Sequence, residues 1–236
     1  MTGQKRSSLI LVCGFVLIAF PAVANSALGT DQGLDSKLQA QGWKELLVGS
    51  TPPNEYQVLD NQHITVRSND SVSILYRKLT IREQNLPAMT WQWRVDKSVP
   101  ATDPGLMGFD DRDLAVHVWF ENSEDKGVWN ALKRTFINVL GYPSIGNVLT
   151  YTFGGTGERF RTLDNPHHDP EGKIIVLRPS GSKTGVWFEE TINFRADFKR
   201  VFGKQPPKPK YVAISADSDD THSQGFARIA PFEFLN

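Results

Sequence analysis

Stretch after stretch of this chain alternates apolar and polar residues with a period of two, and no other feature narrows the fold as much. In "DLAVHVWFE" (residues 113–121) every second side chain from Leu114 to Phe120 is apolar, and a similar rhythm runs through "MTWQWRV" and "GVWFEETINF". On a strand, neighbouring side chains face opposite ways, so this pattern describes strands with one face in a core. It predicts strands at Trp43–Val48, Glu55–Asp60, Gln62–Ser68, Ser71–Leu79, Ala88–Val95, Leu114–Asn122, Val148–Phe153, Lys173–Arg178, Val186–Asn193, Tyr211–Ala216 and Phe226–Phe234. Turn-forming runs such as "TPPNE", "SND", "NPHHDPEG", "PSGSKTG" and "KQPPKPK" separate them. Many short strands joined this way make an all-β, antiparallel sandwich or barrel, not a βαβ sheet.

Two or three segments break the rhythm. Val128, Leu132, Phe136 and Val139 or Leu140 recur at helical spacing, which predicts an amphipathic helix over Lys126–Leu140 ending at Gly141. A shorter helix is expected at Arg195–Phe202 before Gly203, and Leu34–Gln41 suits a helical turn. The chain has no internal repeat and no low-complexity segment. The expected organisation is a signal peptide at 1–24, a lead-in at 25–42 and one sandwich domain at 43–236.

The signal peptide follows from Lys5 and Arg6, the apolar run Leu9–Phe20, and Pro21 followed by Ala22-Val23-Ala24. Cleavage is expected after Ala24, with Ala27 as the alternative. An apolar run of about a dozen residues is short for a bilayer core of roughly 30 Å, so no stable membrane span is expected after cleavage. Such a protein would be periplasmic or secreted. Cys13, the one cysteine, lies inside that run, so the mature chain would have no disulfide, thiolate metal site or cysteine nucleophile. Burial of apolar surface must hold it together, and about 210 residues suffice for that. The 26 basic and 26 acidic residues cancel, and loss of Lys5 and Arg6 leaves 24 against 26. There is no basic excess for nucleic acid.

Strand alternation also sorts side chains by face. Leu114, Val116, Val118 and Phe120 form a core face, and His117 and Trp119 lie on the other. Trp187 and Glu189 likewise oppose Val186, Phe188 and Ile192, with Glu190 the exception on the apolar side, and Gln92 and Arg94 oppose Trp91, Trp93 and Val95. If these strands share one sheet, Trp119, Trp187, Arg94, His117 and Glu189 gather on its outer face. Aromatic rings beside planar hydrogen-bonding groups suit the apolar faces and hydroxyls of sugars. The alternative is that the helix at 126–140 covers this face and the aromatics pack beneath it.

Three polar clusters remain. In "ISADSDDTHSQGF" (214–226), Asp217, Asp219 and Asp220 offer oxygens of the kind Ca²⁺ takes, although the spacing is not that of an EF-hand. Asx turns closing a strand connection are commoner and are the favoured reading, with the cation site kept open. "FDDRD" (109–113) offers carboxylates for acid and base work, with Arg112 arguing for an ion-paired turn. "NPHHDP" (165–170) has His167 and His168 adjacent, which suits a solvent loop better than a zinc site. The chain has no G-x-S-x-G elbow, H-E-x-x-H, phosphate loop or dinucleotide fingerprint, and "FGGTGERF" suits a hairpin or bulge.

"WQWRV", "DDRDLAVHVWF" and "FGKQPPKPKYVAISADSDDT", with the last strand at 226–234, resemble the exported bacterial family catalogued as domain of unknown function 3047. That resemblance implies a sandwich of the jelly-roll or lectin sort and no agreed reaction. The expected function is a non-catalytic module binding a glycan or other polar ligand, requiring no cofactor beyond an optional Ca²⁺. The alternatives are a polysaccharide hydrolase or lyase using Asp110, Asp111 and Glu189, and an envelope assembly protein pairing through a sheet edge.

Overall fold

A computed structural model describes residues 33–121, 143 and 145–236. The expected signal peptide and the expected helix at 126–140 lie outside the described residues.

The chain folds as an antiparallel β-sandwich of two sheets, as its alternation demands. The strands are β1 (Trp43–Leu47), β2 (Glu55–Val58), β3 (Ile64–Asn69), β4 (Val72–Lys78), β5 (Ala88–Lys97), β6 (Arg112–Phe120), β7 (Val148–Phe153), β8 (Thr162–Asp164), β9 (Gly172–Arg178), β10 (Phe188–Ile192), β11 (Pro209–Asp217), β12 (Gln224–Ile229) and β13 (Glu233–Leu235). Three helices are described: α1 (Ser36–Ala40), α2 (Ile81–Asn85) and α3 (Phe194–Phe202). One sheet runs β1-β4-β11-β6-β7-β9-β8, and the other runs β10-β5-β12-β3-β2 with β13 also on β5. Every pairing is antiparallel except β7 with β9.

The core between the sheets is built from the face that the sequence marks as apolar. Leu114, Val116, Val118 and Phe120 of β6 meet Trp91, Trp93 and Val95 of β5, with Tyr151 and Phe153 of β7 alongside. Helix α3 closes one end. Asn193 caps it by accepting from the Ala196 amide at 2.9 Å, and Gly203 ends it at φ 67°. Its Phe198 ring lies 4.7 Å from that of Phe120, and both residues are fully buried.

Differences from the sequence reading have local causes. The final predicted strand is two, β12 and β13, because the Ala230-Pro231 step interrupts the ladder. Helix α2 was not anticipated although it carries a complete capping box, Thr80 with Glu83. In "FGGTG", Gly154 and Gly155 hold φ of 103° and 92°, and a Cβ on Gly155 would meet Pro104 at 2.4 Å.

Because Phe198 fills the end of the core, Phe198→Ala should cost about 3–5 kcal/mol. Urea unfolding followed by tryptophan fluorescence measures it; a loss below about 1 kcal/mol would mean α3 does not seal the core.

Candidate functional site

Strand β6 is buried along its whole length, on both faces. Its second face carries Ala115, His117 and Trp119, flanked by Thr150 and Thr152 of β7 and by Ala213 and Ser215 of β11. Polar groups so placed need partners. His117 finds two: its Nδ1 lies 2.9 Å from the Thr150 hydroxyl and its Nε2 2.9 Å from that of Ser215. Burial, with the Arg112 charge, pushes His117 down to about 3. Trp119 is 2% exposed and packs against Tyr76 and Tyr211, at centroid distances of 5.3 and 5.9 Å.

Beyond Trp119 this face opens into a groove of about 540 Å³. Leu46, Val48, Ile74, Val148 and Trp119 line one part of it. Asp110, Asp217, Asp219, Asp220, Arg112 and His167 line another. The acidic groups come from two distant segments. Strands β6 and β11 run antiparallel with Asp217 opposite Arg112, which brings "FDDRD" and "DSDDT" to one end of the sheet.

Arg112 ties them together. Its Nη1 donates to the Asp110 carboxylate at 3.1 Å and its Nη2 meets the Asp217 carboxylate at 3.1 Å. His167 Nε2 lies 3.0 Å from Asp110 Oδ2. The Asp110 amide donates to Asp220 Oδ2 at 3.0 Å. Asp111 accepts from the Asp220 and Thr221 amides at 3.1 and 2.9 Å, and from the Thr221 hydroxyl. Burial pushes Asp217 up to about 9 against the pull of Arg112, with contact from Asp219 adding to the rise. Asp220 is also raised, through partial burial and the charges of Asp110, Asp111 and Asp219.

The sequence-derived binding face does not assemble. His117 and Trp119 lie on the seven-stranded sheet, whereas Arg94 belongs to the other sheet with Glu189, and Trp187 directly precedes β10 there. Trp187 is 37% exposed, with its ring 4.9 Å from that of His63. Exposed Glu189 accepts from Gln92 Nε2 at 3.1 Å, and Arg94 pairs with Asp96 at 2.6 Å. Glu190, the exception on the apolar side, is buried and held by Arg178 and Arg159. His167, expected in a solvent loop, reaches the groove. Asp217, Asp219 and Asp220 do share the groove, but Asp220 turns towards Asp110 while Asp111 joins the other two. Nothing local in the sequence marks His167 as a neighbour of Asp110; only the fold brings its loop there.

A two-sheet sandwich with an acid-lined groove on one outer face is the class of protein this geometry defines. The chain belongs to the family described as protein of unknown function (DUF3047), whose profile matches residues 41–233. No curated relative matches the sequence. Similar solved structures include the xyloglucanase domain of NopAA from Sinorhizobium fredii in complex with cellobiose, at 9% identity over 81% of this chain and 91% of that one, TM-score 0.43. A cellulase derived from Cel12A of Rhodothermus marinus has 12% identity over 82% and 91%, TM-score 0.42. The family 11 xylanase from Neocallimastix patriciarum has 9% identity over 80% and 98%, TM-score 0.37. At these values the likeness says nothing about this chain's chemistry. The expectation of a non-catalytic binding module is corrected on the chain's own geometry: His117 and Trp119 lie on one sheet, and Arg94, Glu189 and Trp187 lie with the other, so the expected binding face does not exist.

Two tests follow from the burial. Trp119→Ala should cost about 3–5 kcal/mol in urea unfolding and Trp187→Ala about 1 kcal/mol or less; equal losses would contradict their different surroundings. His117 is neutral when folded and takes up a proton on unfolding, so its contribution is present above the unfolded value of 6.5 and is lost as pH falls towards 3. That loss is on the order of 5 kcal/mol. His117→Gln should flatten the acid limb of a stability–pH curve between those values, and an unchanged limb would disprove the assignment.

Proposed function

We propose that the protein hydrolyses an uncharged poly- or oligosaccharide in the groove over β6. The observation that supports this best is the meeting of Asp110 and Asp220, 110 residues apart in the sequence, beside an apolar floor containing Trp119. Glycoside hydrolysis needs two carboxyl groups on either side of the scissile bond. Asp110 is the fixed one, gripped by Arg112 and His167. Asp220, exposed beside it, is the general acid of this reading and protonates the departing glycosidic oxygen. The water oxygen becomes the new anomeric hydroxyl, and the water proton passes to a carboxylate. Leu46 and Ile74, half-buried on the groove wall, offer apolar contact to the sugar rings. Four aspartates against Arg112 disfavour uronates and phosphorylated glycans.

Asp111, considered for catalysis from the sequence, is fully buried and held on both oxygens by Thr221 and the Asp220 amide, and Glu189 lies on the far sheet. The basic start, apolar run and Ala22-Val23-Ala24 support export to the periplasm or beyond. Among the described residues no helix is long and apolar enough to cross a membrane.

Incubation of the purified protein with a panel of neutral polysaccharides should release new reducing ends. Asp220→Asn and Asp110→Asn should each lower that rate at least about 100-fold while circular dichroism stays unchanged. Exposed Glu55→Gln on β2 should have no effect. A folded wild-type protein that releases no reducing ends across the panel would end this reading.

A further inference from the structure

Beside the groove pair, Asp111, Asp217 and Asp219 each bring one carboxylate oxygen to within 4.8 Å of the other two. The three do not stand alike. Asp111 is fully buried and pinned by the Asp220 and Thr221 amides and the Thr221 hydroxyl. Asp219 is half-buried, and the Thr51 hydroxyl reaches its Oδ2 at 3.5 Å. Asp217 is 6% exposed, with Oδ2 on Arg112 at 3.1 Å. Its other oxygen, Oδ1, is buried and receives no hydrogen bond among the described residues.

A buried carboxylate oxygen that no donor reaches is left short of the hydrogen bonds it had in water. Arg112 does not make up the difference, because it is shared with Asp110. The converging atoms are all carboxylate oxygens, without nitrogen or sulfur. That donor set favours hard divalent cations and disfavours zinc or copper. We infer that Asp111, Asp217 and Asp219 form a binding site for a hard divalent cation of the calcium type, completed by water from the groove. The cation joins the start of β6 to the connection between β11 and β12. Asp220, one residue further on, is left free for the groove because its carboxylate turns to the Asp110 amide.

The test uses full-length protein stripped with chelator and dialysed. Calorimetric titration with calcium chloride should show a saturable one-to-one heat, and saturating calcium should raise the melting temperature by several degrees. Asp219→Asn, a change at a half-buried position, should abolish both responses with unchanged circular dichroism, and Glu55→Gln should preserve both. If calcium, magnesium, manganese and chelator all leave the wild-type melting temperature the same, and no heat appears, the inference is overturned. Equal binding by wild type and Asp219→Asn would also overturn it, by placing the ion elsewhere. Neither readout depends on turnover, so the result stands apart from the hydrolase reading.

Discussion

The antiparallel pairing of β6 with β11 sets Asp217 opposite Arg112, and the rest of the site depends on that register. A slip of one residue would send His117 and Trp119 into the space between the sheets and Val116 and Val118 out of it. Six core residues hold the register: Leu114, Val116, Val118 and Phe120 on β6, and Val212 and Ile214 on β11, all almost fully buried. The hydrophobic effect thus fixes the position of charged groups it does not touch. The same strand then carries polar residues on its other buried face, where each must be satisfied: His117 by Thr150 and Ser215, and Arg112 by Asp110 and Asp217.

Alternation made most strands legible, because period two is a direct consequence of the pleat. It fixed the core face of β5, β6 and β10 residue by residue. It did not say which sheet each strand joins, since the pattern reports a face and not a neighbour. That is why Arg94, Trp187 and Glu189 could be grouped with His117 and Trp119 when the sandwich in fact divides them. The short β8, with three residues, is below the length at which a period can be recognised. Helix α2 has five residues and no buried side chain, so only its capping box betrays it.

The acidic clusters were visible as residues but not as a site. Asp217, Asp219 and Asp220 stand together in the sequence, and Asp110 and Asp111 stand together far from them. Their junction depends on a strand pairing that spans about half the chain, which no local window contains. His167 illustrates the limit well: adjacent histidines in a proline-bracketed loop suggest solvent, yet one of them ends 3.0 Å from a buried carboxylate.

Five aspartates around one arginine is an expensive arrangement, since each buried carboxylate loses hydration that a hydrogen bond replaces only in part. A fold that needed only a tight turn would not gather them. The division of labour among them explains the cost. Asp111 spends its oxygens on the backbone of the β11–β12 connection and so fixes the height of Asp220 above the sheet. Asp110 in turn receives Arg112 and His167 from the side and gives its amide to Asp220. Position therefore passes from the rigid, buried aspartates to the exposed one. That order is what a carboxyl group needs if it is to meet a substrate at a fixed distance while its own surroundings stay still.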